Sequence, residues 1–126
     1  MADVQTADQT RDSLEALKRK LQAFVDARDW AQFHSPKNLA MAMIVEAAEL
    51  VEHFQWDTLE ESHELTPEKR EKVSHELADT FVYLLRISQV LGIDLIEAAN
   101  QKIELNGKKY PVEKARGRNN KYTDYQ

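Results

Sequence analysis

Apolar positions recur along this chain at steps of three and four, the period of a helix with one buried face. From about Thr10 to Arg28 the stripe is Leu14, Leu17, Leu21, Phe24 and Val25, and it predicts a first amphipathic helix. A connection over 29–35 carries Trp30, Phe33 and His34. Ser35-Pro36 then supplies an N-cap followed by proline at the first helical position. The second helix predicted there runs through Leu39, Met43, Ala47, Leu50, Val51 and Phe54 to near Trp56. Asp57 to Leu65 is acidic and polar and reads as a loop. Thr66-Pro67-Glu68 repeats the cap-then-proline pattern with an early acid that suits the helix dipole, so a third and longest helix is expected to reach Leu91 and close at Gly92. Asp94 and Glu97 have capping-box spacing and open a fourth helix that should end near Asn106-Gly107.

These elements predict an all-α fold, a four-helix bundle, in a single domain spanning 1–126. Residues 1–9, polar and without an apolar stripe, are expected to be a flexible N-terminus, and 108–126 an irregular, basic C-terminal tail. Composition agrees, because three glycines and three prolines in 126 residues leave few turns. The absence of cysteine removes disulfides, thiolate metal ligands and a cysteine nucleophile, and suits a cytoplasmic protein. No window approaches a membrane span. A net charge of −5 disfavours stable binding to nucleic acid, whose affinity comes largely from basic residues. An acidic protein that binds phosphates needs a cation between the two.

Four carboxylates supply a place for that cation. Glu46 and Glu49 on the second helix, and Glu76 and Asp79 on the third, are pairs at i and i+3; at about 100° per residue each pair shares one side of its helix. Glu46 is flanked on the wheel by Met43 and Leu50, and Glu76 by Val73, Thr80, Tyr83, Leu84 and Ile87, so the acids lie on or beside the core stripe. Unpaired carboxylates there would lose their charge or repel. Oxygen-only ligands on two facing helices suit a hard ion, Mg²⁺ or Mn²⁺, that completes its shell with water and substrate phosphates. A di-iron bundle would want Glu-x-x-His on two helices, which neither pair provides. Glu at i and i+3 is also common on solvated helix faces, and it is the doubling on two apolar-flanked faces that favours the metal. His53, four residues after Glu49, reads more readily as a helix-face histidine than as part of the site.

Glu46-x-x-Glu49 followed by Glu76-x-x-Asp79 resembles the metal motif of the MazG-type all-helical NTP pyrophosphatases. Arg28-Asp29-Trp30, Phe33-His34-Ser35-Pro36-Lys37-Asn38-Leu39, Phe54-Gln55-Trp56, Lys102, Asn106, Tyr110-Pro111 and Lys121-Tyr122 are similar to its dCTP pyrophosphatase branch, and the likeness runs from about Leu14 to Tyr122. The resemblance implies a helical fold assembled as a homodimer or homotetramer, with sites near subunit contacts. It implies hydrolysis of a nucleoside triphosphate, dCTP and its 5-modified forms, between the α and β phosphates, a pool-cleaning reaction. By position, Glu46, Glu49, Glu76 and Asp79 would hold Mg²⁺, with Glu49, and Glu46 beside it, acting on the water. Trp30, Trp56 and Tyr83 would line the base pocket and Asn106 would offer its amide to a base edge. Lys102 and Lys37-Asn38 would contact phosphate or sugar.

The sequence departs from the branch at Val45 and at Ala47-Ala48, behind the ligands, and at Leu21, where vertebrate members carry a histidine near the pocket. Base preference is therefore the part of the expectation most open to change, and a house-cleaning pyrophosphatase of different or broader base preference is the alternative. Two rivals from other classes are a nucleic-acid-binding module built on the basic tail, which the net acidity opposes, and a noncatalytic helical interaction bundle, which leaves the inward acids unexplained.

Overall fold

In the computed structural model, which describes residues 2–125, the chain is helical throughout, with no strand among the described residues. Four long helices, α1 (Ala2–Ala27), α2 (Pro36–Glu52), α4 (Pro67–Leu91) and α5 (Leu95–Lys109), account for the expected set, and two short ones, α3 (Leu59–His63) and α6 (Val112–Ala115), are added. None is long and apolar enough to cross a membrane. The chain divides into two compact units, residues 1–92 and 93–126.

In the first unit α4 packs extensively on α2 and less so on α1. Val25 of α1, Leu39 of α2, and Val73 and Leu85 of α4 are its buried apolar residues. The caps set where these helices begin. The Ser35 hydroxyl accepts from the Asn38 N–H at 3.1 Å, and Thr66 does the same for Lys69 at 3.2 Å, each just ahead of a proline whose missing N–H costs nothing there. Gly92 ends α4 at φ +65°, a left-handed conformation that glycine adopts without steric cost. Asp29, at φ 51°, plays that part after α1, and the Trp30 N–H returns to the Val25 carbonyl at 3.1 Å.

Several expected boundaries move. Helical backbone starts at Ala2 rather than Thr10, because Ala, Gln, Asp and Thr tolerate helix without an apolar stripe to announce it. The expected flexibility of residues 1–9 falls where side chains lie outside the described part of the structure. A 3-10 turn at Ala31–Phe33 occupies the first connection, and α2 stops at Glu52 rather than near Trp56, with turns beyond. The loop expected over 57–65 contains α3, held by a reciprocal capping box: Glu61 N–H to the Thr58 hydroxyl at 3.1 Å and Thr58 N–H to the Glu61 carboxylate at 3.2 Å. Lys69 of α4 pairs with Asp57 and lies 5.4 Å from the Phe54 ring centroid, tying this connector down.

In the second unit α5 runs past Asn106-Gly107 to Lys109. The tail is not wholly irregular. α6 and a 3-10 turn at Tyr122–Tyr125 organise it around Tyr110, whose ring meets those of Tyr122 and Tyr125 edge-on at 6.3 and 5.9 Å. Lys114 Nζ donates to the Tyr125 carbonyl at 2.8 Å, and Lys109 and Arg118 sit over the Tyr122 and Tyr125 rings. Alternating cations and tyrosines are thus a local packing device as well as a charge run.

Candidate active site

The tight pairing of α2 with α4 brings carboxylates together. One oxygen each from Glu46, Glu49 and Glu76 lies within 4.8 Å of the others, and all three residues are half-buried. One oxygen of Glu46 and one of Glu76 are fully buried with no hydrogen-bond partner. Burial pushes the Glu46 carboxyl up to about 7, with Glu49 beside it and the charges of Asp79 and Glu76 adding to the effect. Glu76 is raised by burial and by Glu49, against the opposing pull of His53. The cluster therefore holds more negative charge than it can keep without a counterion. Orphaned carboxylate oxygens converging from two helices fit a hard divalent cation, and among the described residues these three acids form the group that could hold one.

Asp79 is not one of the three converging acids, although its charge reaches Glu46. It is exposed, and it lines an adjoining cavity of about 240 Å³ with Leu21, Phe24, Val25, Trp30, His34, Val82, Tyr83 and Arg86. One turn separates Asp79 from Tyr83, and a second turn brings α4 to Arg86 on the same face, which explains why the three share one wall. Trp30 joins the same lining from just after the left-handed turn at Asp29. Its ring packs edge-on to Phe24, centroids 5.7 Å apart, and the Arg28 guanidinium covers the other ring at 3.7 Å. A flat aromatic wall beside an acidic cluster suits a planar base attached to phosphates.

The remaining expected residues are distributed differently. Trp56 is 86% exposed and lines no part of this cavity. Lys37 and Asn38 are exposed in the first turn of α2, and the Asn38 amide donates to the Phe33 carbonyl at 3.1 Å, so it braces the Trp30 connection. Lys102 and Asn106 are exposed on α5, in the second unit. His53, read from sequence as a bystander, has its Nε2 3.7 Å from a Glu76 oxygen and belongs to the acidic cluster.

Arg86 went unnoticed in the sequence, although a charged residue on the Asp79–Tyr83 face is the same signal that picked out the acids. It is 5% exposed. Its Nε donates to His34 Nδ1 at 3.0 Å, and its Nη1 donates to Gln22 at 2.6 Å and Gln89 at 3.1 Å.

The sequence profile of the MazG-like family matches residues 41–125, which include the acidic cluster, Tyr83 and Arg86. The chain belongs to the MazG-like family. Among its relatives, dCTP pyrophosphatase 1 of Mus musculus is 39% identical over 114 residues, covering 89% of this chain and 67% of that one. The Homo sapiens protein of the same name is 37% identical over the same length and shares. A pyrophosphatase from Archaeoglobus fulgidus, known from its crystal structure, superposes with a TM-score of 0.75 at 41% identity, covering 79% of this chain and 93% of the other. The all-helical architecture is that of a MazG-like protein, and in it the α2–α4 acids and the Trp30–Tyr83 cavity stand side by side.

Proposed function

We propose that this MazG-like protein is a divalent-metal-dependent nucleoside triphosphate pyrophosphohydrolase, and that its substrate is dCTP, with 5-modified forms, converted with water to dCMP and pyrophosphate. The observation that carries the reading is the gathering of Glu46, Glu49 and Glu76, two of them with orphaned buried oxygens, beside a cavity walled by Trp30 and Tyr83. The relatives named dCTP pyrophosphatase support the base, and the pyrophosphatase neighbour supports the bond cleaved.

In this reading Glu46, Glu49 and Glu76 would hold Mg²⁺, or Mn²⁺ in its place, and Asp79, which lines the base cavity and whose charge reaches Glu46, would add to their negative field. The cation, when bound, neutralises phosphate charge and makes a water more acidic. Glu49 would orient the attacking water and take its proton as the water oxygen bonds to the α phosphorus, while the bond from α phosphorus to the bridging oxygen breaks and pyrophosphate leaves. Trp30 and Tyr83 hold the base between aromatic faces. Lys37, at the N-terminus of α2 where free N–H groups favour anions, attracts phosphate. Asn38 contributes by fixing the connection that carries Trp30. Trp56, Lys102 and Asn106 act on base, phosphate or sugar from an assembled homodimer or homotetramer. The support for assembly is α2, which is apolar on both sides: Leu39 and Met43 face the core while Met41, Ile44 and Val45 remain exposed.

The test is a panel of nucleoside triphosphates with identification of products. dCTP turned over in preference, to dCMP and pyrophosphate, is the expected result. Preference for dUTP or a purine would overturn the base, and release of orthophosphate would overturn the reaction.

A further inference from the structure

The cavity lined by Trp30 and Tyr83 also holds a buried cation that forms no ion pair among the described residues. Arg86 is buried, its hydrogen-bond partners are three neutral acceptors, and no carboxylate pairs with it among the described residues. Those acceptors are themselves held in orientation. The Gln22 amide N–H₂ donates to Asp26 at 2.8 Å, which turns its oxygen toward Arg86. The Gln89 amide N–H₂ donates to the Lys18 carbonyl at 2.9 Å, with the same effect. A network so tied at its far ends fixes the guanidinium, and the guanidinium Nε–H in turn dictates the state of His34.

A guanidinium N–H can only donate, so His34 Nδ1 must accept, and a neutral imidazole that accepts at Nδ1 carries its proton on Nε2. Rotating the ring would set a carbon against the donor and lose the bond. Burial and the neighbouring Arg86 charge both lower the His34 pKa, which keeps the ring neutral. Nε2–H is then the one polar ring atom of His34 without a protein partner among the described residues, on a side chain that lines the cavity with Trp30 and Tyr83.

We propose that Arg86 is a positioning residue that locks His34 as the Nε2–H tautomer, and that His34 thereby selects cytosine over uracil by donating to the ring nitrogen N3. Cytosine N3 accepts a hydrogen bond, whereas uracil N3 bears a hydrogen and would face a second donor. The opposite tautomer, with Nε2 as acceptor, would reverse the preference. This deepens the proposed function and rests on its placing of the base between Trp30 and Tyr83.

Two measurements test it, neither requiring turnover. The first is the imidazole nitrogen spectrum of His34 in the ¹⁵N-labelled wild-type protein at neutral pH. An unprotonated Nδ1 and protonated Nε2 are expected; the reverse pattern, or a charged ring, overturns the lock. The second is calorimetric binding of dCMP and dUMP to wild type, Arg86→Met, His34→Phe and the double variant. Wild type should favour dCMP by about tenfold, the worth of one good hydrogen bond gained against one lost. Arg86→Met should shrink that ratio to below about threefold and should change nothing further in the His34→Phe background, because the arginine acts through the histidine. Additive effects, or equal binding of the two nucleotides by wild type, overturn the proposal. Should Arg86→Met not fold, Gln22→Met, which loosens the same guanidinium, takes its place. A wild type that binds dCMP selectively but releases no pyrophosphate from any triphosphate would refute the enzymatic reading and leave the His34 selection standing.

Discussion

Glu49 and Glu46 differ in what their loss should do. Glu49 shares the cluster without an orphaned buried oxygen, so Glu49→Gln should keep the fold while lowering turnover by roughly 100- to 10,000-fold, the range for loss of a general base; circular dichroism alongside a pyrophosphate assay checks both halves. Glu46 carries a second expectation. Its carboxyl is raised from 4.5 to about 7, so in the metal-free protein its contribution to stability is full below about pH 4.5 and is lost as pH rises through about 7. The lowered His34 acts in the opposite sense, removing stability as pH falls below its ordinary 6.5, so the comparison must be with Glu46→Gln. From pH 5.5 to 8, metal-free wild type should lose melting temperature relative to Glu46→Gln, and saturating Mg²⁺ should erase that loss, since a bound cation favours the ionised carboxylate. A constant difference between the two proteins across this range would contradict the burial-driven shift. At this scale the sequence was legible where charge interrupted an apolar stripe: Glu46, Glu49 and Glu76 meet as their spacing predicts. It was less legible where partners come from distant segments. Arg86 meets Gln89 by i, i+3 spacing on α4, but Gln22 and His34 reach it only through the packing of α4 against α1 and the first connection, and no local pattern announces them.

Among the elements, those that carry their own stop and start signals follow the sequence. Ser35-Pro36, Thr66-Pro67 and Gly92 delimit α2 and α4 because caps and the left-handed glycine act within a few residues. Removing the hydroxyl in Ser35→Ala should cost about 1 kcal/mol, measured by urea denaturation, through loss of the bond to the Asn38 N–H. It should also loosen the connection that presents Trp30, raising KM more than it lowers kcat; an unchanged KM would mean that Trp30 is held without this cap. α3 was missed although Thr58 and Glu61 spell its capping box, because five residues are too few to show a period. The end of α5 was misjudged because Asn106 and Gly107 are permissive of turns without enforcing them, and two lysines at the C-terminal end favour continuation. The tail gained order from contacts of Tyr110 with Tyr122 and Tyr125, twelve and fifteen residues further on, a pairing that no local period announces.

At the scale of the molecule, α2 and α4 present more apolar surface than one chain covers. Ile44 is 62% exposed, Met41, Val45 and Val51 more than half, and Leu77 and Leu91 of α4 about half. Exposed apolar surface on this scale suits an interface, and further copies of the chain are its proposed occupants. Ile44→Glu should therefore shift the protein to monomer in sedimentation velocity and lower activity with it, while leaving the helical signal intact. A wild type that sediments as a monomer at micromolar concentration would refute the assembly without touching the acidic cluster. The cluster is the centre of the account, and ³¹P NMR of dCTP turnover, first with Mg²⁺ and then after chelation, probes it most directly. dCMP and pyrophosphate are the sole products expected, with turnover ceasing on chelation and returning when Mg²⁺ is restored. Orthophosphate as the first product, or turnover indifferent to chelation, would contradict this.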